Sequence, residues 1–411
     1  MTAPRSIAII GAGQAGGQAA QSLRHAGFDG RLYLIGDEKH GPYQRPPLSK
    51  KFLSGEWPAA RLALLPDEFY AVNDIECLFG TRVTALDPAA SRLTFASGRT
   101  LDFDLALLAT GSGPRVLPIA GAGLDRVYSV RTIADVERIR PHVSEGQRLV
   151  IIGGGYIGLE VAAIMRSLGL EVRIIEAADR VMTRTAPPAV SRYFEELHRA
   201  NGVILQLATS VGSIARGPKG DLVVATDAGE FATDWVLTSI GGIPEIALAA
   251  AAGLTIDNGI AVDEHCRTSA ANVFAAGDCC SFPSARYGRR VRLESVQNAI
   301  DQAKAAAVSM LGNGAPYDPV PWFWSDQFDT KYQIAGLGHG ADDYVVRGDP
   351  ASDAFSVAHL RAGRLIALDA INRPRDYMAA RRVVPTAAPV DRAALSDAAT
   401  PLTELAGAGS G

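Results

Sequence analysis

A chain of 411 residues, 47% hydrophobic and 20% charged, is too long for one core and points to two or three globular domains. The formal net charge of −4 gives no general affinity for nucleic acid or an anionic membrane, so any basic docking face must be local. Four cysteines, Cys77, Cys266, Cys279 and Cys280, form no CxxC pair, support neither a zinc site nor a disulfide framework, and fit a reducing cytoplasm.

The chain begins with an apolar strand over residues 7–10 that runs into Gly11, Gly13 and Gly16. It comes too early for a signal peptide, and no apolar run reaches the ~20 residues of a membrane helix. A helix follows over 15–25, then a strand over 32–35 closed by Gly36 and Asp37, an acid about 20 residues past the glycines. That is a dinucleotide-binding start: glycines free the backbone to approach a pyrophosphate, and the acid meets a ribose. The segment 41–50, GPYQRPPLSK, is a proline-rich loop, and the helix carrying Lys50 is expected to start near Pro47. Lys50 alone reads as readily as a surface lysine. Short strands fill 75–108 and end in Ala109-Thr110-Gly111, a tight turn where a backbone could lie close to a flat ligand.

Residues 115–147 lead onward with a helix over 133–140 and Arg131 before it. The first start then recurs. LVIIGGGYIGLE over 149–160 carries Gly153, Gly155 and Gly158, and the strand 172–175 ends in Glu176. A carboxylate there accepts both adenosine-ribose hydroxyls and repels a 2′-phosphate, which favours NADH over NADPH. Two such starts imply two dinucleotides, a held FAD and an exchanging NADH. Later come a helix over 188–200, strands over 203–206, 222–226 and 235–239, and a return turn at Gly241, Gly242 and Pro244. The strand 272–277 ends at Gly277 and Asp278, where the acid either caps a following helix or takes a ligand hydroxyl. A helix follows over 295–310. Past Pro321, four strands and a helix over 376–383 make an α+β domain, and the alanine-rich tail from Pro385 reads as loosely ordered.

GAGQAGG at 11–17, RPPLSK at 45–50, ATG at 109–111, GGGYIGLE at 153–160, NVFAAGDC at 272–279, RLESVQNA at 292–299 and PWFWSDQ at 321–327 together carry a resemblance. The sequence resembles the two-dinucleotide flavoprotein reductases of the glutathione-reductase fold and, more closely, the ferredoxin reductases of bacterial oxygenase systems. The likeness weakens only after about residue 385. It implies an α/β fold of two Rossmann-like domains plus a C-terminal α+β domain. The FAD-binding domain would be 1–114 and 242–321, the NADH-binding domain 115–241, and the last domain 322–411.

On the same resemblance, Gly11, Gly13, Ala15, Gly16, Asp37, Arg45, Lys50, Val83, Thr110, Gly111, Arg131, Gly277, Asp278 and Val296 are implied FAD contacts. Asp37 would meet the adenosine ribose, Asp278 the ribityl chain, and Lys50 the isoalloxazine. Gly153, Gly155, Ile157, Gly158, Glu160, Glu176 and, more weakly, Arg184 would serve NADH, with Glu160 at the nicotinamide amide. Lys50 and Glu160 are the implied catalytic pair, and Trp322 or Trp324 would shield the flavin. The resemblance implies hydride transfer from NADH to flavin and single-electron release to a two-iron two-sulfur ferredoxin serving a haem monooxygenase or a Rieske dioxygenase. Arg289, Arg290 and Arg292, with Lys304 further along, are a candidate docking face, and no metal site is expected. Two departures stand out: Glu245 replaces the usual asparagine after the GxxP turn, and the final segment diverges.

Two rivals share this fold. A disulfide reductase would need a redox cysteine in 41–50, and there is none. A signalling flavoprotein would need a basic nucleic-acid face or an inserted segment, and neither is evident.

Overall fold

A computed structural model describes residues 4–405. The chain divides into two compact units. The first gathers Met1–Arg45, Pro58–Gly113 and Gly242–Pro319; the second gathers Pro46–Trp57, Pro114–Gly241 and Val320–Gly411.

The first unit is built on a parallel sheet of five strands in the order Val273–Ala275, Leu105–Leu108, Ser6–Ile10, Arg31–Ile35, Ile75–Leu78. These segments are nearly continuous apolar runs because both faces of the sheet are covered. The helices Gln14–His25 and Val296–Met310 pack together. Ala19, Ala20, Ala303, Ala306 and Ala307 are all fully buried there, small enough to let the two backbones come close.

The second unit repeats the plan, ordered Ile204–Gln206, Glu171–Ile175, Arg148–Ile152, Trp235–Thr238, Val127–Tyr128, again all parallel. It adds an antiparallel sheet from Val211–Arg216, Leu222–Thr226 and Gly229–Thr233, whose outer two strands the sequence pattern does not announce. After Val320 comes an antiparallel sheet ordered Trp322–Gln327, Thr330–Gly336, Arg364–Ile371, Ala354–Arg361, Asp343–Asp349, with the helix Pro374–Val383 packed on it.

The two parallel sheets repeat down to single hydrogen bonds. Gly11 N donates to Ile35 O at 2.8 Å, and Gly153 N to Ile175 O at 2.8 Å. Ala109 N donates to Ile10 O at 2.7 Å, and Ser239 N to Ile152 O at 2.8 Å. Gly11 and Gly153 have φ of +114° and +107°, and a Cβ on either would strike the carbonyl oxygen of Ala109 or Ser239.

Three expectations change. Lys50 does not ride a helix. Pro46–Ser49 makes a single 3₁₀ turn, with the Lys50 amide three residues on donating to Pro47 O at 3.0 Å, and the Phe52 amide, five residues on, reaches the same oxygen at 2.9 Å in place of an α-helical bond. Asp278 does not precede a helix but the strand Cys280–Ser284, so the capping role is excluded. The tail is packed as far as it is described: Arg392–Ser396 and Leu402–Leu405 are short helices, and Leu395, Leu402 and Leu405 are buried. Residues 406–411 lie outside the described chain.

Candidate functional site

In the first unit, strand order alone collects most of the implied FAD residues. Parallel strands present all their C-terminal ends at one edge, where ligands of open α/β sheets bind. The Gly11–Gly16 turn follows Ser6–Ile10, the Thr110–Gly111 turn follows Leu105–Leu108, and Gly277–Asp278 follows Val273–Ala275. Asp37 closes Arg31–Ile35. A Cβ at Gly277 would lie 3.1 Å from that of Ala15, so the third turn packs directly on the first helix. Asp278 accepts the Ser112 hydroxyl at 3.0 Å, and Asp37 is exposed.

Thr110 Oγ1 donates to Glu245 O at 2.7 Å, and Glu245 N returns a bond to Gly111 O at 3.0 Å. The divergent Glu245 therefore supports the turn through its backbone, which any residue type can do. Arg45 is fixed by Glu38 at 2.7 Å and by the Tyr43 hydroxyl at 2.9 Å, while that hydroxyl donates to Glu38 at 2.6 Å. Val83 opens the strand Val83–Asp87, and Val296 opens its helix behind the Ser295 cap.

Both glycine turns fit a pyrophosphate. A Cβ at Gly13 or at Gly155 would meet nothing within 4 Å, so each faces open space. The helices behind them, Gln14–His25 and Tyr156–Ser167, have no side-chain cap and no acid in the first turn. Their free amides and positive dipole ends suit an anion.

In the second unit, Glu176 accepts Gly154 N at 2.6 Å and Ala178 N at 2.8 Å, which leaves each oxygen capacity for a hydroxyl. Gly158 packs its helix against the turn, Ile157 is exposed on the first helical turn, and Arg184 is exposed beside Gly241. Arg131 precedes the capping box of the helix Ile133–Ile139. Trp324 is half-buried and tilts against Trp322, ring centroids 5.8 Å apart.

Lys50 and Glu160 meet in this unit. Lys50 Nζ lies 3.0 Å from Glu160 Oε1 and 4.0 Å from Asp326 Oδ2. Glu160 is 5% exposed, and its charge is offset by further donors: Ser49 Oγ at 2.8 Å and Ser325 Oγ at 2.7 Å. Sequence reasoning missed Ser49, Ser325, Gln327, Glu38 and Tyr43. A signal existed for two of them. Ser325 and Gln327 fall on one face of a strand that opens with three aromatics, and both are buried.

Residues 5–303 match the pyridine nucleotide-disulphide oxidoreductase family and residues 322–406 a reductase C-terminal domain. The chain is 45% identical to the 5,5'-dehydrodivanillate O-demethylase ferredoxin reductase subunit of Sphingobium sp. (strain NBRC 103272 / SYK-6), over 97% of this chain and 98% of that protein. It is 43% identical to rhodocoxin reductase of Rhodococcus erythropolis, over 94% of this chain and 90% of that protein. Among solved structures, the covalent putidaredoxin reductase–putidaredoxin complex matches with a TM-score of 0.94 and 39% identity, covering 97% of both chains. The chain thus belongs to the pyridine nucleotide-disulphide oxidoreductase family, among the FAD- and NAD(P)H-dependent ferredoxin reductases of oxygenase systems.

Proposed function

We propose that the protein passes electrons from NADH, through bound FAD, one at a time to a two-iron two-sulfur ferredoxin that serves an oxygenase. FAD, when bound, accepts electrons in pairs and releases them singly, which no side chain does. The observation that carries the reading is the coexistence of two open glycine cradles with a Lys50–Glu160 pair on a segment that has no thiol. The relatives support the acceptor and its setting: one is the reductase subunit of an O-demethylase, and another is solved in complex with putidaredoxin.

Within this reading the chain's own residues bind and orient. The turns of Gly11–Gly16 and Gly153–Gly158 hold the two pyrophosphates. Asp37 and Glu176 take the adenosine riboses and Asp278 the ribityl chain. Lys50 lies beside the isoalloxazine, and Glu160 accepts from the nicotinamide amide. Trp324 shields the flavin. Docking of an acidic ferredoxin rests mainly on Arg289 and Lys304, both exposed. Arg290 is drawn to Asp257 at 3.7 Å, and Arg292 lies 2.5 Å from Glu294, so each already faces an acid of its own chain.

The disulfide-reductase alternative loses ground on placement, since Cys279, whose thiol the neighbouring Cys280 shifts down, is fully buried outside the 41–50 segment, and on thiol chemistry at two other cysteines. Burial pushes the Cys77 thiol up to about 11 and the Cys266 thiol up to about 12, far from the thiolate such enzymes use. The test is steady-state turnover of the FAD-loaded protein with NADH, a two-iron two-sulfur ferredoxin and cytochrome c as final acceptor. Rapid ferredoxin-dependent reduction is expected. NADH binding without turnover, or faster turnover with a disulfide substrate, would overturn the reading.

A further inference from the structure

Behind the Lys50–Glu160 pair runs a hydrogen-bond chain that ends in a histidine. Ser325 Oγ lies 2.7 Å from Glu160 Oε1, Gln327 Nε2 lies 3.2 Å from Ser325 Oγ, and Gln327 Oε1 lies 2.9 Å from His198 Nε2. His198 belongs to the helix Pro188–Ala200, is fully buried, and has the Phe328 ring edge-on at 5.1 Å. Among the described residues its Nδ1 has no hydrogen-bond partner.

Each link has only one chemically consistent direction. Glu160, facing the Lys50 ammonium, is a carboxylate and can only accept, so the Ser325 proton points to it. The Ser325 oxygen must then accept from the amide nitrogen of Gln327. That turns the amide oxygen toward His198, whose Nε2 must therefore carry its proton while Nδ1 stays bare. Burial independently favours that neutral ring, lowering the His198 pKa to about 4. Every donor in the chain points at Glu160.

The acceptor count on Glu160 gives the consequence. Oε1 takes Ser325 and Lys50, and Oε2 takes Ser49, so of roughly four acceptor positions one remains, on Oε2. We propose that His198 is a positioning residue: as the Nε2–H tautomer it locks the Gln327 amide, and through Ser325 it fixes Glu160 with one open acceptor aimed at a ligand's primary amide. The proposal rests on the reading that Glu160 meets the nicotinamide amide. Without the histidine donor the Gln327 amide turns over and its oxygen captures the Ser325 proton. Glu160 then loses the donor that holds its plane, and the ligand amide no longer finds a fixed partner.

The test is calorimetric titration of NAD⁺ into the FAD-loaded protein and its His198→Leu, His198→Gln, Ser325→Ala, Glu160→Ala and His198→Leu/Ser325→Ala variants, with NADH kinetics alongside. Glutamine reaches as far as the imidazole Nε2 and keeps an N–H donor. Expected are a Kd about five- to tenfold weaker for His198→Leu and for Ser325→Ala, and no further loss in the double variant. His198→Gln should restore near wild-type binding. KM for NADH should rise with Kd while kcat stays within about twofold. A merely structural histidine would give additive losses and no rescue by glutamine. If Glu160→Ala weakens NAD⁺ and His198→Leu does not, the positioning role is wrong. If Glu160→Ala leaves Kd unchanged, the reading of Glu160 itself is wrong and the proposal falls with it. Flavin absorbance and the melting midpoint check folding, and if His198→Leu does not fold, Gln327→Met takes its place with the same expectations.

Discussion

Glu176 is committed to its own backbone, through Gly154 N and Ala178 N, before it meets any ligand. It is therefore a brace for the turn that follows Ile175 and, in the proposed function, a ribose acceptor as well. Replacing it by Arg brings a cation to the 2′ position but removes both braces. The kcat/KM ratio for NADPH over NADH should rise at least about tenfold, while kcat/KM with NADPH stays below the wild-type value with NADH. An unchanged ratio would remove Glu176 from the cofactor preference. His198 makes a second residue-scale prediction, about stability. Its folded pKa, about 4, lies below the unfolded value of about 6.5. Between those values the unfolded chain binds a proton that the native one refuses, so stability is full above about pH 6.5 and falls as pH drops toward 4. At pH 5 the loss from this residue is about 2 kcal/mol, or roughly 2 °C in the melting midpoint of a chain this long. His198→Gln should lose less stability than wild type between pH 7.5 and pH 5 in parallel melts. Equal losses would show that the ring is not held neutral.

Among the elements, the tail is one the sequence misjudged. Its alanines offer little pattern, and what orders it is Arg347, a fully buried guanidinium on the strand Asp343–Asp349. Arg347 donates to Leu395 O, to Asp397 O at 3.2 Å and to Thr400 O at 2.9 Å, with Asp376 at 3.6 Å. Three carbonyls held by one buried cation tie 395–400 to the sheet. Arg347→Met should cost about 2–3 kcal/mol, since it strands the three carbonyls while Asp376 keeps Arg373 at 3.2 Å and the Ser356 hydroxyl at 2.8 Å. It should also open 392–405 to rapid amide exchange and protease cleavage while the Rossmann sheets stay protected. Protection of the tail equal to wild type would show that apolar packing alone holds it. The contrast explains what was legible. Strands and glycine turns announce themselves within about 12 neighbouring residues, through a change of apolar period and the need for positive φ. Arg347 finds its tail carbonyls up to 53 residues away, and His198 finds Gln327 at 129. No local pattern encodes such partners. Lys50, Glu160, Asp278 and Glu176 stood out as charged residues in or beside a motif; Ser49, neutral within RPPLSK, and His198, outside every motif, did not, because their contacts are set only by folding.

At the scale of the whole molecule, the chain has duplicated one device, and the copies can be disabled separately. Gly13 and Gly155 occupy the same place in the two turns, as the residue before each helix, with φ of −90° and −83° that any L-residue adopts. A Cβ at either meets no protein atom within 4 Å. Valine at these positions should therefore cost the fold little, in contrast to Gly16 and Gly158, where a Cβ would strike the carbonyl of Gly11 or Gly153. What valine blocks is the approach of a pyrophosphate to the turn. Gly13→Val should purify folded but colourless, with far-ultraviolet dichroism unchanged, and should take up little added FAD. Gly155→Val should purify yellow, with full flavin content, yet its KM for NADH should rise at least about tenfold while reduction by dithionite proceeds normally. The assignment of cofactor to turn is what the pair measures: were Gly155→Val the colourless one, FAD would belong to the second turn and NADH to the first. Were both yellow and both reduced by NADH at wild-type rates, neither turn would be a pyrophosphate site, and the duplicated glycines would be serving only the close approach of helix and strand.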